Sequence, residues 1–162
     1  KGYGFEVWST DLNFKNAKQL ITGLRGCCGQ MDIKVKGNEI FVAENSRHRD
    51  CRYDLNGKLL GTFGKKDRSG EAGFSSCCNP MNLCFGPQGE LITGESSLGL
   101  IKRFDSTGKL LGVIGTAKVA TGCKNVAVHM SSDGKLAYML DLTAQRIIVL
   151  AQKPDKKVSK VD

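Results

Sequence analysis

Short apolar runs, broken at regular intervals by glycine-centred polar turns, set the pattern of this chain. Glu39–Ala43 reads EIFVA, rich in β-branched and aromatic residues, and Asp50–Asp54 follows it. Asn56-Gly57 is a hairpin signal, with Leu59–Phe63 as the strand after it and Met31–Val35 as the strand before the set. Four short antiparallel strands are predicted. Glycine suits the turn because a two-residue hairpin needs positive φ, which costs glycine nothing. Gln88-Gly89, Thr107-Gly108 and Asp133-Gly134 mark further turns of the same kind. Glu6–Thr10 and Lys18–Leu24 predict two more strands. A weak helical period appears only at Asn13–Ile21.

The pattern repeats. Gly26–Gly64 aligns with Ser76–Gly115: Cys28 falls on Cys78 and Met31 on Met81, both 50 positions apart. Glu44 falls on Glu95, Tyr53 on Phe104, Asp54 on Asp105 and Gly57–Gly61 on Gly108–Gly112, all 51 apart. A third copy runs from Gly122 to Leu150, with Cys123 where Cys78 stood and Asp141 where Glu95 stood. A four-stranded unit repeating every 40 to 50 residues or so is one blade of a β-propeller. The expected division is 1–25 as outer strands of a partial blade, 26–64 as a complete blade and 65–75 as an interblade loop. Then come 76–115 as a second complete blade, 116–151 as a partial blade and 152–162 as a basic tail.

The segments NEIFVAENSRHRDCRYDLNGKLLGTFG and GELITGESSLGLIKRFDSTGKLLGVIG resemble NHL repeats. Each carries an apolar strand, an acidic residue, a short polar turn, an aromatic-Asp strand end, Gly-Lys and a closing apolar strand. The resemblance covers Gly26–Leu150 and implies an all-β propeller, about half of a six-bladed ring. Where the family often has an Asn-Arg-Ile-like segment, the copies have Asn45–Arg49, Ser96–Leu100 and Arg146-Ile147. The paired cysteines are not a general family feature, so the resemblance gives them no role. Some NHL-like propellers are lyases with an axial metal held by histidines repeated across blades; His48 and His129 do not repeat.

Two complete blades and two partial ones are too few to close a ring, since closed propellers have roughly four to eight. Half of a longer protein is the favoured expectation. A processed piece held by its other half, or two copies closing one ring, are the alternatives.

With 40% hydrophobic and 25% charged residues, wholesale disorder is excluded. No apolar run approaches the roughly 20 residues of a membrane helix. The net charge of +8 favours acidic partners. Yet the basic groups around Arg47, Lys65 and Lys153 are not interleaved with aromatics, so solvated surface is favoured over an RNA or other polyanion site.

The seven cysteines include no C-x-x-C spacing. Cys27-Cys28, Cys77-Cys78 and Cys123 stand at matched places, at the start of each innermost strand, which in a propeller lines one mouth of the central channel. Two readings stay open: buried or disulfide-bonded cysteines, or thiolate ligands of an iron–sulfur cluster or other metal. In the second, Cys27, Cys28, Cys77, Cys78 and Cys123 are the ligands. Cys51 and Cys84 lack counterparts and are expected to pack in the core. Glu44, Glu95 and Asp141 are expected to accept N–H bonds within their own turns, Asp54 and Asp105 to cap turns, and Trp8 and Phe14 to pack on outer strands.

No catalytic constellation emerges. The expected role is a non-catalytic binding or scaffold module in a larger assembly, completed by a protein partner or a second copy. The rivals are a cysteine-ligated electron-transfer subunit and a polyanion-binding face. Clustered cysteines in a chain starting at Lys1 favour an exported or periplasmic setting, and a reduced compartment would suit a thiolate-bound cluster.

Overall fold

The computed structural model describes residues 3–67, 73–76, 78–120, 122 and 126–151. Strands β1 (Tyr3–Ser9) and β2 (Lys18–Gly26) pair as a hairpin. Strands β3 (Ile33–Lys36), β4 (Glu39–Glu44), β5 (Arg49–Asp54) and β6 (Leu59–Phe63) form the first four-stranded sheet, in sequence order. Strands β7 (Asn82–Phe85), β8 (Leu91–Gly94), β9 (Leu100–Phe104) and β10 (Leu110–Thr116) form the second. Strands β11 (Val126–Met130), β12 (Leu136–Asp141) and β13 (Arg146–Ala151) form a three-stranded third. Every pairing between these strands is antiparallel. The innermost strands β3, β7 and β11 are neighbours, so the sheets fan out from one axis as blades.

The turn glycines behave as their sequence context requires. Gly57, Gly89, Gly108 and Gly134 have φ of 84°, 84°, 87° and 73°. Asp54 and Asp105 cap their turns: Asp54 Oδ1 accepts the N–H of Asn56 and Lys58, and Asp105 Oδ1 those of Thr107 and Lys109.

The weak helical period at Asn13–Ile21 does not form a helix. Asp11 Oδ1 accepts the N–H groups of Asn13 and Lys15 at 3.0 and 2.7 Å, closing a turn instead. Phe14 and Asn16 then sit in the left-handed region, at φ 56° and 53°, which stops helix propagation. β2 begins two residues later. Phe14 and Trp8 do not pack as expected: they are 87% and 52% exposed, on a hairpin that offers one covered face.

The core lies between blades, because alternate residues of each strand face opposite neighbours. Ile21 and Leu24 of β2 pack on Ile40, Val42, Cys51 and Tyr53 of the first blade. That blade's other face, with Phe41, Ala43 and Phe63, meets Phe74, Leu83, Leu91 and Phe104. Ile92 and Ile101 turn to the third blade's Val126, Val128, Ala137 and Met139.

Among the described residues both ends of this arc are open. Ile33 and Val35 pair in register with Val42 and Ile40 and share their face. The hairpin covers Val42 and Ile40 but leaves Ile33 and Val35 at 42% and 60% exposure, since it has no inner strands to lay over them. At the far end no described strand pairs with the outer edge of β13, where Ile147 is 64% exposed. A cleft of about 780 Å³ lies between β10 and β13, lined by Leu111, Val113, Arg103, Lys135 and Val149. Among the described residues no helix is long and apolar enough to cross a membrane.

Candidate functional site

The chain leaves β2 at Gly26 and folds into a tight turn, in which the N–H of Gln30 donates to the carbonyl of Cys27 at 3.1 Å. Asn45, buried just after β4, grips this turn from both sides. Its Oδ1 accepts the N–H of Cys27 at 2.7 Å and its Nδ2 donates to the carbonyl of Gln30 at 2.8 Å. The second blade makes the same link with the roles reversed. Asn79, in the cysteine turn, accepts at Oδ1 from the N–H of Ser96, the residue at Asn45's repeat position, at 2.9 Å. Its Nδ2 donates to Ser76 Oγ at 2.6 Å. Both turns place a cysteine in the left-handed region: Cys28 at φ 55° and Cys78 at φ 74°. That conformation costs a non-glycine residue about 1 kcal/mol. The repeat pays it twice at matched positions.

The consequence is a three-thiol cluster. Cys78 Sγ lies 2.8 Å from Cys27 Sγ and 3.3 Å from Cys28 Sγ, and the last two are 3.7 Å apart. All three separations exceed the roughly 2.05 Å of a disulfide bond. Cys78 is buried, Cys27 half-buried and Cys28 exposed, so the cluster opens to solvent on one side. Among the described residues no other group of three His, Cys, Asp or Glu side chains converges this closely. Cys77 and Cys123, also expected here, lie outside the described residues.

The two unmatched cysteines differ in kind. Burial pushes the thiols of Cys51 and Cys84 up to about 12, so both stay protonated at neutral pH. Cys51 Sγ donates to Glu44 Oε2 at 3.5 Å, and Cys51 and Cys84 each pack in an interblade core.

The repeated carboxylates do something other than cap their own turns. Glu44 Oε1 accepts the N–H of Arg25 from β2, Glu95 Oε2 that of Ser75, and Asp141 Oδ2 that of Ala120, at 3.0, 3.3 and 2.9 Å. Each donor lies 19 to 21 residues upstream, in the segment before the blade. Each carboxylate therefore ties its blade to what precedes it; Asp141 also accepts a main-chain N–H of its own turn, that of Ala144. A cation balances each one. Arg47 and Arg49 reach Glu44 at 2.6 and 2.7 Å, Lys102 Nζ reaches Glu95 at 2.5 Å, and Arg146 reaches Asp141 at 3.6 Å. The Ala120 N–H, foremost, holds the Asp141 carboxyl below the usual carboxylate range. With these partners each carboxylate joins its blade to the preceding segment.

Two acidic residues stand out that the sequence did not single out. Asp32 Oδ2 accepts the N–H of Leu83 at 2.9 Å, joining the inner edges of the first two blades. Asp50 is fully buried and neither carboxyl oxygen has a hydrogen-bond partner among the described residues. Burial, and then the charge of Asp32, push its carboxyl well above the ordinary range. Only position marks these two: Asp32 closes the cysteine turn, and Asp50 stands where the second copy has Ile101.

These sheets and their shared axis place the chain in the β-propeller class of all-β folds. Solved structures agree. Virginiamycin B lyase from Staphylococcus aureus, solved with quinupristin, superposes with a TM-score of 0.57 at 13% identity, over 93% of this chain and 50% of that one. A putative 6-phosphogluconolactonase from Bacteroides uniformis gives 0.58 at 16%, over 93% of this chain and 47% of that one. The chain thus spans about half the length of each. No family model matches it. No curated protein matches it either.

Proposed function

We propose that this chain is about half of an NHL-type propeller and serves as a non-catalytic binding or scaffold module within a larger assembly. Exposure of Ile33 and Val35, on the face whose other half β2 covers, carries this reading. A buried blade face is half dressed, and two further inner strands would finish it. The edge of β13, with which no described strand pairs, and the half-length match to solved propellers support the same view. Further blades, supplied by the same protein or a partner, are the expected occupants, and recognition falls to the loop-rich faces of the finished ring. Light scattering on the native species tests it. A particle well above 17.5 kDa is expected, and a stable 17.5 kDa monomer would overturn it.

A second reading, a cysteine-ligated metal or iron–sulfur subunit with an electron-transfer role, is favoured by the convergence of Cys27, Cys28 and Cys78. Iron analysis and a visible spectrum of anaerobically purified protein test that reading: sulfide-bound iron supports it, and its absence removes the electron-transfer role.

A further inference from the structure

We infer that Cys27, Cys28 and Cys78 form a site for one soft closed-shell cation, zinc(II) or copper(I), which clasps the first blade to the second. The inference rests on the metal reading of these thiols and narrows it from a cluster to a single ion.

The sulfur geometry favours one ion. The three sulfurs form a triangle with sides of 2.8, 3.3 and 3.7 Å. Thiolates that share a tetrahedral zinc at about 2.3 Å lie about 3.7 Å from each other. A zinc at that distance from all three sits about 1.3 Å off their plane, and the described residues supply three of its four ligands. A modest spreading of the two shorter sides gives the ideal figure. A four-iron cluster instead takes one thiolate on each iron, which separates the cysteine sulfurs by the width of the cluster. Three sulfurs this close crowd a cluster and suit a common ion.

The surroundings hold the triangle in place. Asn45 fixes the Cys27 turn, and Asn79 fixes the Cys78 turn to the end of β8. Both asparagines are buried and hydrogen-bonded, so the turns are organised by the protein itself. A site built this way loses little conformational freedom when the ion enters. Exposed Cys28 gives the ion a way in, and buried Cys78 gives it a dry wall. The buried thiols of Cys51 and Cys84, raised to about 12, lack this access.

The ligands come from different blades. Cys27 and Cys28 sit between β2 and β3, and Cys78 precedes β7. Along the inner strands the Asp32–Leu83 hydrogen bond already ties the two blades, and Lys36 Nζ at the end of β3 donates to the carbonyl of Gly89. An ion joined to all three sulfurs adds a further and stronger tie at the cysteine end. Each thiol that ligates gives its proton to solvent, so binding strengthens as pH rises. No electron is transferred in this step.

Reduced, chelator-treated protein is titrated anaerobically with zinc chloride, and separately with copper(I) supplied as its bicinchoninate complex. One equivalent of either ion is expected, with a rise in Tm on binding, and the tighter arm identifies the ion. Cys28→Ser is exposed enough to fold and should weaken binding at least about tenfold. Cys51→Ser should leave binding unchanged. Binding of one ion that Cys28→Ser does not weaken overturns the site. Binding without any rise in Tm overturns the clasp. Two or more irons per chain with visible colour overturn the single ion while keeping the metal reading. Absence of all metal binding, or thiols blocked by a disulfide before reduction, overturns both.

Discussion

The main-chain N–H of Arg25, one residue from the end of β2, donates to Glu44 Oε1 at the end of β4, at 3.0 Å. One buried carboxylate thereby holds the hairpin to the first blade and gathers Arg47 and Arg49 beside it. Replacing Glu44 with Leu leaves that N–H without its acceptor and separates two cations from their anion. A loss of about 2–3 kcal/mol is expected from urea unfolding. The arginine side chains are 45% and 30% exposed, so water takes up part of their charge.

Lys102 and Glu95 make the matched pair in the second blade, and there both side chains are fully buried. Lys102→Met strands a buried carboxylate and should cost more, about 3–5 kcal/mol. Adding Glu95→Gln removes the stranded charge and should recover part of the loss. A double-mutant cycle checks this; simple additivity of the two single changes would contradict the coupling.

Asp50 predicts a pH dependence of definite sign. Its folded pKa lies well above the ordinary 3.8, so the folded chain keeps a proton that the unfolded chain has lost. Stability therefore falls as pH rises from near 3.8 towards the folded value, and the loss is complete above it. Asp50→Asn carries no such titration. The variant should match the wild type in acid and surpass it as pH rises through that window, in chemical unfolding followed from acid to neutral pH. A difference that stays constant with pH would contradict the burial argument.

Ile33 and Val35 are expected to matter to assembly and hardly to the chain alone. Changing both to Thr should alter the stability of the isolated chain by no more than about 0.5 kcal/mol, because both are exposed. The same change should weaken formation of the larger native particle, read by light scattering.

Local features were legible where one stretch of chain contains the whole cause. Asn56-Gly57 and Thr107-Gly108 announced turns because positive φ and the capping Asp both lie within four residues. The cysteine convergence was legible because the repeat register carries Cys28 onto Cys78. What lay hidden needed a partner from another blade. Glu44 looks like a turn acceptor until Arg25 arrives from β2, and Asp32 looks like turn punctuation until Leu83 docks. Trp8 misled for the opposite reason: a large aromatic suggests packing, yet its side of the hairpin has no described neighbour sheet, and its Nε1 turns to Glu6 at 3.0 Å.

In the proposed reading the arc, open at both ends among the described residues, is completed by further blades. Amide hydrogen exchange at Ile33–Lys36 and Arg146–Ala151, compared between the 17.5 kDa chain alone and the native particle, tests it most directly. Fast exchange is expected at these edge strands in the isolated chain, and strong protection in the native particle. Equal exchange in the two would contradict it.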